Sequence, residues 1–160
     1  MDIFGEAWRD HPARLAEAWD ASIDRDDLVL VCGDISWAAT LEEARPDLEY
    51  LAARPGRKLL LRGNHDYWWK SLAKVRAVLP EGLEALQNDA FRFEGLVVAG
   101  ARGWTSPESE WFDPERDESI YRRELGRLAM SLERAAALRR SGDDLLVMLH
   151  YPPCSEKLEE

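Results

Sequence analysis

Three short apolar runs divide this sequence, and each is followed directly by glycine or by polar residues. The runs cover residues 28–32, 58–62 and 145–149. Apolar residues fall on both faces of each run, which indicates short strands that are covered on both sides. Helical patterns lie between the runs, so the chain is predicted to form a layered α/β fold.

The residues that follow these strands are ones that carry chemistry. The first run continues into Gly33 and Asp34, the second into Gly-Asn-His-Asp at 63–66, and the third into His150. In open α/β sheets, ligands bind beyond the carboxyl ends of the strands. We therefore expect five polar side chains to converge on one crevice: Asp34, Asn64, His65, Asp66 and His150.

These residue types favour a metal site. Carboxylate oxygen, amide oxygen and imidazole nitrogen suit divalent ions such as Mn, Fe, Co or Zn. An aspartate can bridge two cations, and a neutral asparagine leaves more positive charge on the metal than a carboxylate would. The two cysteines, Cys32 and Cys154, are not spaced as ligands, which argues against a structural zinc site.

Composition limits the class of protein. A chain of 160 residues predicts about one domain, and 46% hydrophobic with 32% charged residues excludes a disordered chain. No apolar run approaches the ~18 residues that span a bilayer, so we expect no membrane partner. The net charge of −10 favours divalent cations over a nucleic-acid backbone. The low cysteine content indicates a reducing cytoplasm.

The remaining segments show hairpin and helix patterns. Residues 91–93 and 96–100 predict a β-hairpin, and residues 103–117 predict a long polar loop. Helices are predicted at four places: residues 10–23, a stretch capped by Thr40 and Glu43 that Pro46 breaks, residues 71–79, and residues 118–140.

The longest predicted helix carries an apolar stripe that we expect to be buried. The acidic stretch before it, residues 113–118, is typical of a solvated helix start. The stripe consists of Ile120, Leu125, Leu128, Leu132 and Leu138.

The ordered set of motifs resembles the calcineurin-like metallophosphoesterases. Gly-Asp at 33–34, Gly-Asn-His-Asp at 63–66 and the strand-terminal His150 carry the resemblance, which runs over nearly the whole chain. The resemblance implies an αββα sandwich, in which two sheets pack face to face with helices outside. The implied reaction is hydrolysis of a small phosphoester by a metal-activated hydroxide at a dinuclear site.

The resemblance also implies a role for each matched residue. Asp34 would bridge both metals, and Asn64 and His150 would bind the second one. His65 would stay off the metal and donate a proton to the leaving oxygen, and Asp66 would orient His65.

Two parts of the family pattern are missing from this sequence. The family has an Asp-x-His motif at the end of a first strand and a Gly-His-x-His motif near the C-terminus. Asp10 and His11 are adjacent and start a helix, so they predict a cap and a surface residue, and no histidine follows His150. We therefore expect at most one well-formed metal site, in a single partial domain over residues 1–160 that is incomplete at both ends.

Other interpretations stay open for the same residues. An aspartate after a strand often starts a turn, Asn64 can be a left-handed turn residue, and either histidine can be a hydrogen-bonded structural residue. For the whole chain, the alternative is an interaction module of the same fold that holds one metal or none and has no catalytic activity. A nucleotide- or nucleic-acid-directed esterase is a third, weaker hypothesis.

A few side chains near the strand ends are candidates for substrate contacts. Arg102, at the end of the predicted hairpin, is a weak candidate for a phosphate contact. Most tryptophans are expected in the core, with one or two on the wall of the crevice, where they would stack on an organic part of the substrate. The tryptophans near the motifs are Trp37, Trp68, Trp69 and Trp104.

Overall fold

Six strands form two sheets in the computed structural model of this chain, which describes residues 5–153. The strands are β1 (Leu28–Val31), β2 (Arg57–Leu61), β3 (Leu83–Leu86), β4 (Ala90–Phe93), β5 (Leu96–Ala101) and β6 (Asp144–Leu149). The first sheet has the order β1-β2-β3 and is parallel throughout. The second has the order β4-β5-β6, in which β4 and β5 are antiparallel while β5 and β6 are parallel.

Helices connect and cover these strands. They are α1 (His11–Ser22), α2 (Leu41–Ala52), α3 (Leu72–Arg76) and α4 (Pro114–Leu138), preceded by a single 3-10 turn at Glu6–Trp8. Among the described residues, no helix combines the length and the apolar character needed to cross a bilayer.

Alternating side chains place the first sheet between a helical layer and the second sheet. Because successive residues of a strand point to opposite faces, Leu60 of β2 packs with Leu48 of α2 on one side. On the other side, Leu59 packs with Val98 of β5 and Met148 of β6. Strand β2 is therefore covered on both faces, as its uninterrupted apolar run predicts.

The second sheet is covered by α4 on its outer face. Val97 and Ala99 of β5 pack there against Leu132 and Ala135 of the helix. The order of layers is therefore helix, sheet, sheet, helix. This confirms the α/β fold class and the αββα arrangement that the resemblance implies.

Most of the predicted elements are present. β1, β2 and β6 begin and end within one residue of the three apolar runs, and β4 and β5 form the predicted hairpin. Helix α1 is also present, although Asp10 at its N-cap position makes no side-chain cap bond. The predicted helix at 71–79 is shorter than expected and ends at Arg76.

The prediction that Pro46 breaks the second helix is wrong. Pro46 lies inside α2, which continues to Ala52. A proline in a helix interior costs about 3 kcal/mol, and two features stabilise the helix against that cost. Thr40 and Glu43 form the predicted capping box, and Ala44 and Leu48 are buried on either side of the proline.

The predicted burial of the α4 stripe is wrong at two positions. Leu125 and Leu138 are exposed to solvent, and the fully buried residues of the helix lie at other positions. They are Asp117, Glu124, Ser131 and Ala135. Asp117 is buried beside Arg116, so the expectation of a fully solvated helix start also fails.

The polar side chains on the buried face of α4 have partners on other elements. The backbone N–H of Gly100 donates to Ser131 Oγ at 2.8 Å, and Ser131 donates to the carbonyl oxygen of Asp89 at 2.5 Å. Because such partners satisfy a buried hydroxyl, the helix packs through polar contacts that an apolar pattern does not reveal.

Candidate metal centre

The loop after β1 turns sharply to present Asp34. Gly33 has φ 98° and Asp34 has φ 54°, and both values lie in the left-handed region. The left-handed conformation is strained for a residue other than glycine, so surrounding contacts must hold Asp34 in it. The backbone N–H of Asp34 donates to Asp66 Oδ2 at 2.9 Å, and the Asp34 carboxylate accepts from His65. These contacts aim the carboxylate at the loop after β2.

Two glycines allow the strand ends to approach each other. A Cβ atom on Gly63 would lie 2.2 Å from Asp34 Oδ1, and a Cβ atom on Gly33 would lie 2.7 Å from His150 Nδ1. Side chains at these positions would collide with the neighbouring loops. The Gly-Asp and Gly-Asn-His-Asp motifs therefore need their glycines for space.

Asp66 ties the two loops together. Its carboxylate is fully buried and accepts backbone hydrogen bonds from Asp34, Ile35, Ser36 and Gly63 at 2.7–3.1 Å. The indole N–H of Trp68 adds a further bond. Four backbone donors on one carboxylate fix the relative position of the β1 and β2 ends.

The imidazole of His65 is paired with Asp34. His65 Nδ1 lies 2.9 Å from Asp34 Oδ2, and the His65 backbone N–H donates to Asp34 Oδ1 at 2.9 Å. The ring is partly open to solvent and stands between the aromatic rings of Trp37 and Tyr67. The carboxylate within hydrogen-bond distance of this ring is thus that of Asp34, whereas Asp66 contacts the loop backbone.

Several contacts keep Asp34 ionised. Burial alone would raise the pKa of Asp34, but hydrogen bonds from the backbone and ring of His65, together with the nearby charge of His150, lower the pKa below its ordinary value. The carboxylate is therefore in the charged form that a cation ligand requires.

His150 closes the cluster from β6. Its Nδ1 lies 2.8 Å from the carbonyl oxygen of Cys32, and its Nε2 lies 2.6 Å from Asn64 Oδ1 and 3.5 Å from Asp34 Oδ1. A carbonyl oxygen only accepts, so Nδ1 carries a proton and donates it. In the neutral ring, Nε2 is then an acceptor that faces two acceptor oxygens. This arrangement calls for a cation, or for a second proton on the ring.

This donor set fits one divalent cation. Asp34, Asn64 and His150 offer a carboxylate oxygen, an amide oxygen and an imidazole nitrogen, which suit a first-row metal. Within residues 5–153, no group of three or more His, Cys, Asp and Glu side chains is placed to hold a metal ion. The cluster therefore depends on the Asn64 amide as its third ligand.

Arg102 has a structural role that its sequence position did not indicate. Its Nη2 donates to Glu124 Oε1 at 2.9 Å, and its guanidinium lies over the ring of Trp104. The Arg102 carbonyl oxygen accepts from the backbone N–H groups of His150 and Tyr151. Arg102 therefore fixes the segment that carries His150.

The aromatic residues divide between the core and the surface of the site. Trp68 and Trp69 are buried, as expected for core residues. Trp37 is 73% exposed beside His65, so it stands on the wall of the site. Its position after the Gly-Asp motif is the sequence signal that pointed to it.

A pocket borders the cluster on the side of Tyr151, a residue that the sequence analysis did not single out. The Tyr151 ring packs edge-on against His150 and lies 4.9 Å from the Trp104 ring. The pocket encloses about 510 Å³ of space, open solvent included, and its other walls are mainly apolar. They include Tyr121, Leu125, Leu128, Leu149 and Pro152.

Comparison with known proteins identifies the family. A family model described as calcineurin-like phosphoesterase matches residues 4–156. The Gene 66 proteins of Mycobacterium phage L5 and Mycobacterium phage D29 are each 46% identical to this chain over 57 residues, which are 36% of this chain. The match spans only 27% and 28% of the length of these two relatives. No solved structure gave a significant match. Since the family model covers nearly all of its length, the chain belongs to the calcineurin-like phosphoesterase family.

Proposed function

We propose that this protein is a metal-dependent phosphoesterase that hydrolyses a small phosphoester. The observation that carries the proposal is the convergence of His150 Nε2 with Asn64 Oδ1 and Asp34 Oδ1 at the carboxyl ends of three strands. The family supports a phosphoester as the substrate class. The net charge of −10 supports a small substrate over a nucleic acid, and the low cysteine content supports a cytoplasmic location.

Asp34, Asn64 and His150 are the proposed ligands of one divalent cation. Such a cation, when bound, polarises a phosphoryl oxygen and lowers the pKa of water. The chain's own contribution is to hold the ligands in place. Gly63 leaves room for the Asp34 carboxylate, and the Cys32 carbonyl fixes the tautomer of His150, so that Nε2 is free to bind.

His65 is the proposed proton donor to the leaving oxygen. Its Nδ1 is held by Asp34 Oδ2, which fixes the orientation of the ring, and the side chain is 41% exposed beside Trp37. A positioned and accessible imidazole can transfer a proton near neutral pH. Asp66 orients His65 indirectly in this proposal, because it fixes the loop from which Asp34 reaches the ring.

The pocket beside Tyr151 is the proposed site for the organic part of the substrate. It adjoins His150 through the Tyr151 ring, and its aromatic and leucine side chains offer an apolar surface. A phosphoester bound at the cluster would place an apolar leaving group or alcohol moiety against Trp104 and Tyr151.

The finer form that the family resemblance implies is a dinuclear centre bridged by Asp34, of which we propose that this chain forms one of the two metal sites. Among residues 5–153, the side chains that converge on the cluster provide ligands for one cation, and Asp34 is the shared ligand that a second cation would use. The same observation favours a second candidate function, namely an interaction module that holds one metal ion and lacks catalytic activity.

Metal content and turnover, measured on the same preparations, test these proposals. After loading with Mn²⁺, elemental analysis should find no more than one ion per chain, and Asp34→Ala should lose it. Asp26→Ala, at an exposed position just before β1, is the control and should keep the ion. Wild-type metal content in Asp34→Ala would overturn the ligand assignment.

Hydrolysis of p-nitrophenyl phosphate and bis(p-nitrophenyl) phosphate separates the two functions. The phosphoesterase proposal expects turnover that EDTA removes and Mn²⁺ restores. A protein that binds the ion but hydrolyses neither compound would instead support the interaction module.

A further inference from the structure

A half-buried arginine next to the candidate metal centre has no hydrogen-bonded partner for its guanidinium among the described residues. Arg62 follows β2 and directly precedes Gly63. Within residues 5–153, no hydrogen bond or salt bridge reaches its guanidinium, and its Nε atom is buried and unpaired. A desolvated cation without a partner is costly, so this side chain is suited to an anion that binds from outside.

Two further arginines lie close to Arg62. Arg102, which follows β5, and Arg127, on α4, line the same cleft and are near enough to repel its charge. The Nε atom of Arg102 is also buried without a partner. We call Arg62, Arg102 and Arg127 the arginine cleft.

Glu124 is the carboxylate that hydrogen-bonds to the arginine cleft. Glu124 is almost fully buried, and its Oε1 accepts from Arg102 at 2.9 Å and from Arg127 at 2.8 Å. Asp66 and Glu124 both attract the charge of Arg62, so two carboxylates face three arginines and one positive charge is left in excess. The cleft is therefore a local cationic site in a chain whose net charge is −10.

The arginine cleft lies beside the metal centre at the same edge of the sheets. It is lined by the last residues of three strands, Leu61 of β2, Leu86 of β3 and Ala101 of β5, and it holds about 300 Å³ of space, open solvent included. The metal centre uses the ends of β1, β2 and β6. The two sites thus share the end of β2, where Arg62 and Asn64 are two residues apart.

We propose that the arginine cleft binds a phosphate-type oxyanion at a site separate from the metal centre. Guanidinium groups bind phosphate oxygens through paired hydrogen bonds, and Gln87 and Asn88 are polar residues that also line the cleft. The anion is either a second phosphate of the substrate or free phosphate. The site itself does not depend on the proposed hydrolysis, and only its assignment to a substrate rests on the proposed function.

Phosphate binding to the metal-free protein tests the site. In EDTA and at constant ionic strength, inorganic phosphate should raise the melting temperature in a saturable way, and chloride should not. Arg62→Gln should weaken phosphate binding in calorimetric titration by about tenfold or more, and it should leave the melting temperature without phosphate unchanged or higher, because no native contact is lost. Arg122→Gln, which changes an exposed arginine of α4, should bind phosphate as the wild type does.

Chemical labelling gives a second readout that needs no variant. Phosphate should slow the modification of Arg62 by phenylglyoxal in the wild-type protein, as mapped by mass spectrometry, and should leave Arg122 unaffected. The proposal is overturned by wild-type phosphate affinity in Arg62→Gln, by the absence of a phosphate-specific shift in the wild type, or by equal labelling of Arg62 with and without phosphate.

Kinetics of the metal-loaded protein distinguish the two sources of the anion. If the site takes a second substrate phosphate, Arg62→Gln should raise KM for adenosine 3′,5′-bisphosphate and leave KM for p-nitrophenyl phosphate unchanged. If the site takes free phosphate, both KM values should stay unchanged while phosphate binding is lost. If the protein binds phosphate in the arginine cleft but hydrolyses neither compound, the proposed phosphoesterase function fails while the proposed phosphate site stands.

Discussion

A Cβ atom on Gly63 would lie 2.2 Å from Oδ1 and 2.3 Å from the backbone nitrogen of Asp34. This close approach links the loops that follow β1 and β2. It places the Asp34 carboxylate where His65 and His150 meet it. The geometry of the candidate metal centre therefore depends on a residue that has no side chain.

Gly63→Ala should displace Asp34 and remove the bound cation. Because real Cβ atoms do not approach other atoms so closely, the loop after β1 must move, and we expect a loss of metal together with destabilisation of about 2 kcal/mol or more. Elemental analysis and urea unfolding measure the two effects.

Gly126→Ala is the matched control for that change. Gly126 lies inside α4, and no atom lies within 4 Å of its added Cβ. Alanine there should leave metal binding intact and stabilise the protein by about 0.5–1 kcal/mol, since glycine is unfavourable in helices. Equal metal content in Gly63→Ala and Gly126→Ala would contradict the role of the close approach.

His65→Ala should separate catalysis from metal binding. The proposed ligands are other side chains, so the variant should keep its metal, while turnover falls by roughly 10²–10⁴-fold, the usual contribution of a positioned acid. The loss should be larger for an alkyl phosphoester than for p-nitrophenyl phosphate, because a poor leaving group needs the proton more. Unchanged turnover of the alkyl ester would remove this role from His65.

Asp66→Asn should loosen the loops that form the site. The carboxylate accepts from the backbone N–H groups of Asp34, Ile35 and Gly63 and has no solvent exposure. In asparagine, an NH₂ group replaces one of the two carboxylate oxygens. This NH₂ group cannot accept from the backbone N–H groups that donated to that oxygen, so those hydrogen bonds are lost and the buried N–H groups are left unpaired. We expect destabilisation of about 2–4 kcal/mol in urea unfolding and weaker Mn²⁺ binding.

Asp26→Asn provides the comparison for Asp66→Asn. Asp26 is exposed in the turn before β1, and a change there should stay within about 0.5 kcal/mol of the wild type. If the stability of Asp66→Asn also stayed within about 0.5 kcal/mol of the wild type, the buried carboxylate would not hold the two loops together.

Sequence patterns predicted the elements whose signal is local. The apolar runs around Val29, Leu60 and Val147 indicated three strands. The prediction that each run is covered on both sides is right for β2 and wrong for β6, where Leu145 and Val147 are exposed. Strand β3 was missed because its sequence, Leu-Glu-Ala-Leu, contains two residues that are uncommon in strands. It forms because parallel pairing with β2 and burial of Leu83 and Leu86 stabilise it.

The contacts that complete the candidate site come from residues distant in sequence. The strand-end motifs were sufficient to predict that Asp34, Asn64 and His150 converge. Asp66 accepts from the backbone N–H groups of residues 34–36, about thirty residues earlier, and Arg102 pairs with Glu124; these contacts arise only when the loops and α4 pack together. A sequence pattern records residue types and spacing, so it does not reveal which buried polar groups satisfy each other.

A buried ion pair far from the site gives the protein a specific dependence on pH. Arg92 donates to both oxygens of Asp143, at 2.8 and 2.9 Å, and the backbone N–H of Arg140 adds a bond. The hydrogen bonds from Arg92, with that from Arg140, lower the pKa of Asp143 to about 2. In the unfolded chain the pKa of aspartate is about 3.9, so the unfolded state takes up the proton first as the pH falls.

Asp143→Asn should therefore flatten the acid side of the stability curve. The contribution of the ionised Asp143 is complete above about pH 5 and is lost as the pH falls towards about 2. We expect the variant to be less stable at pH 7 and to lose less stability than the wild type between pH 4 and pH 2.5 in urea unfolding. Asp144→Asn, at the exposed neighbouring position, is the control. An acid slope in Asp143→Asn equal to that of the wild type would show that the pair with Arg92 does not set this dependence.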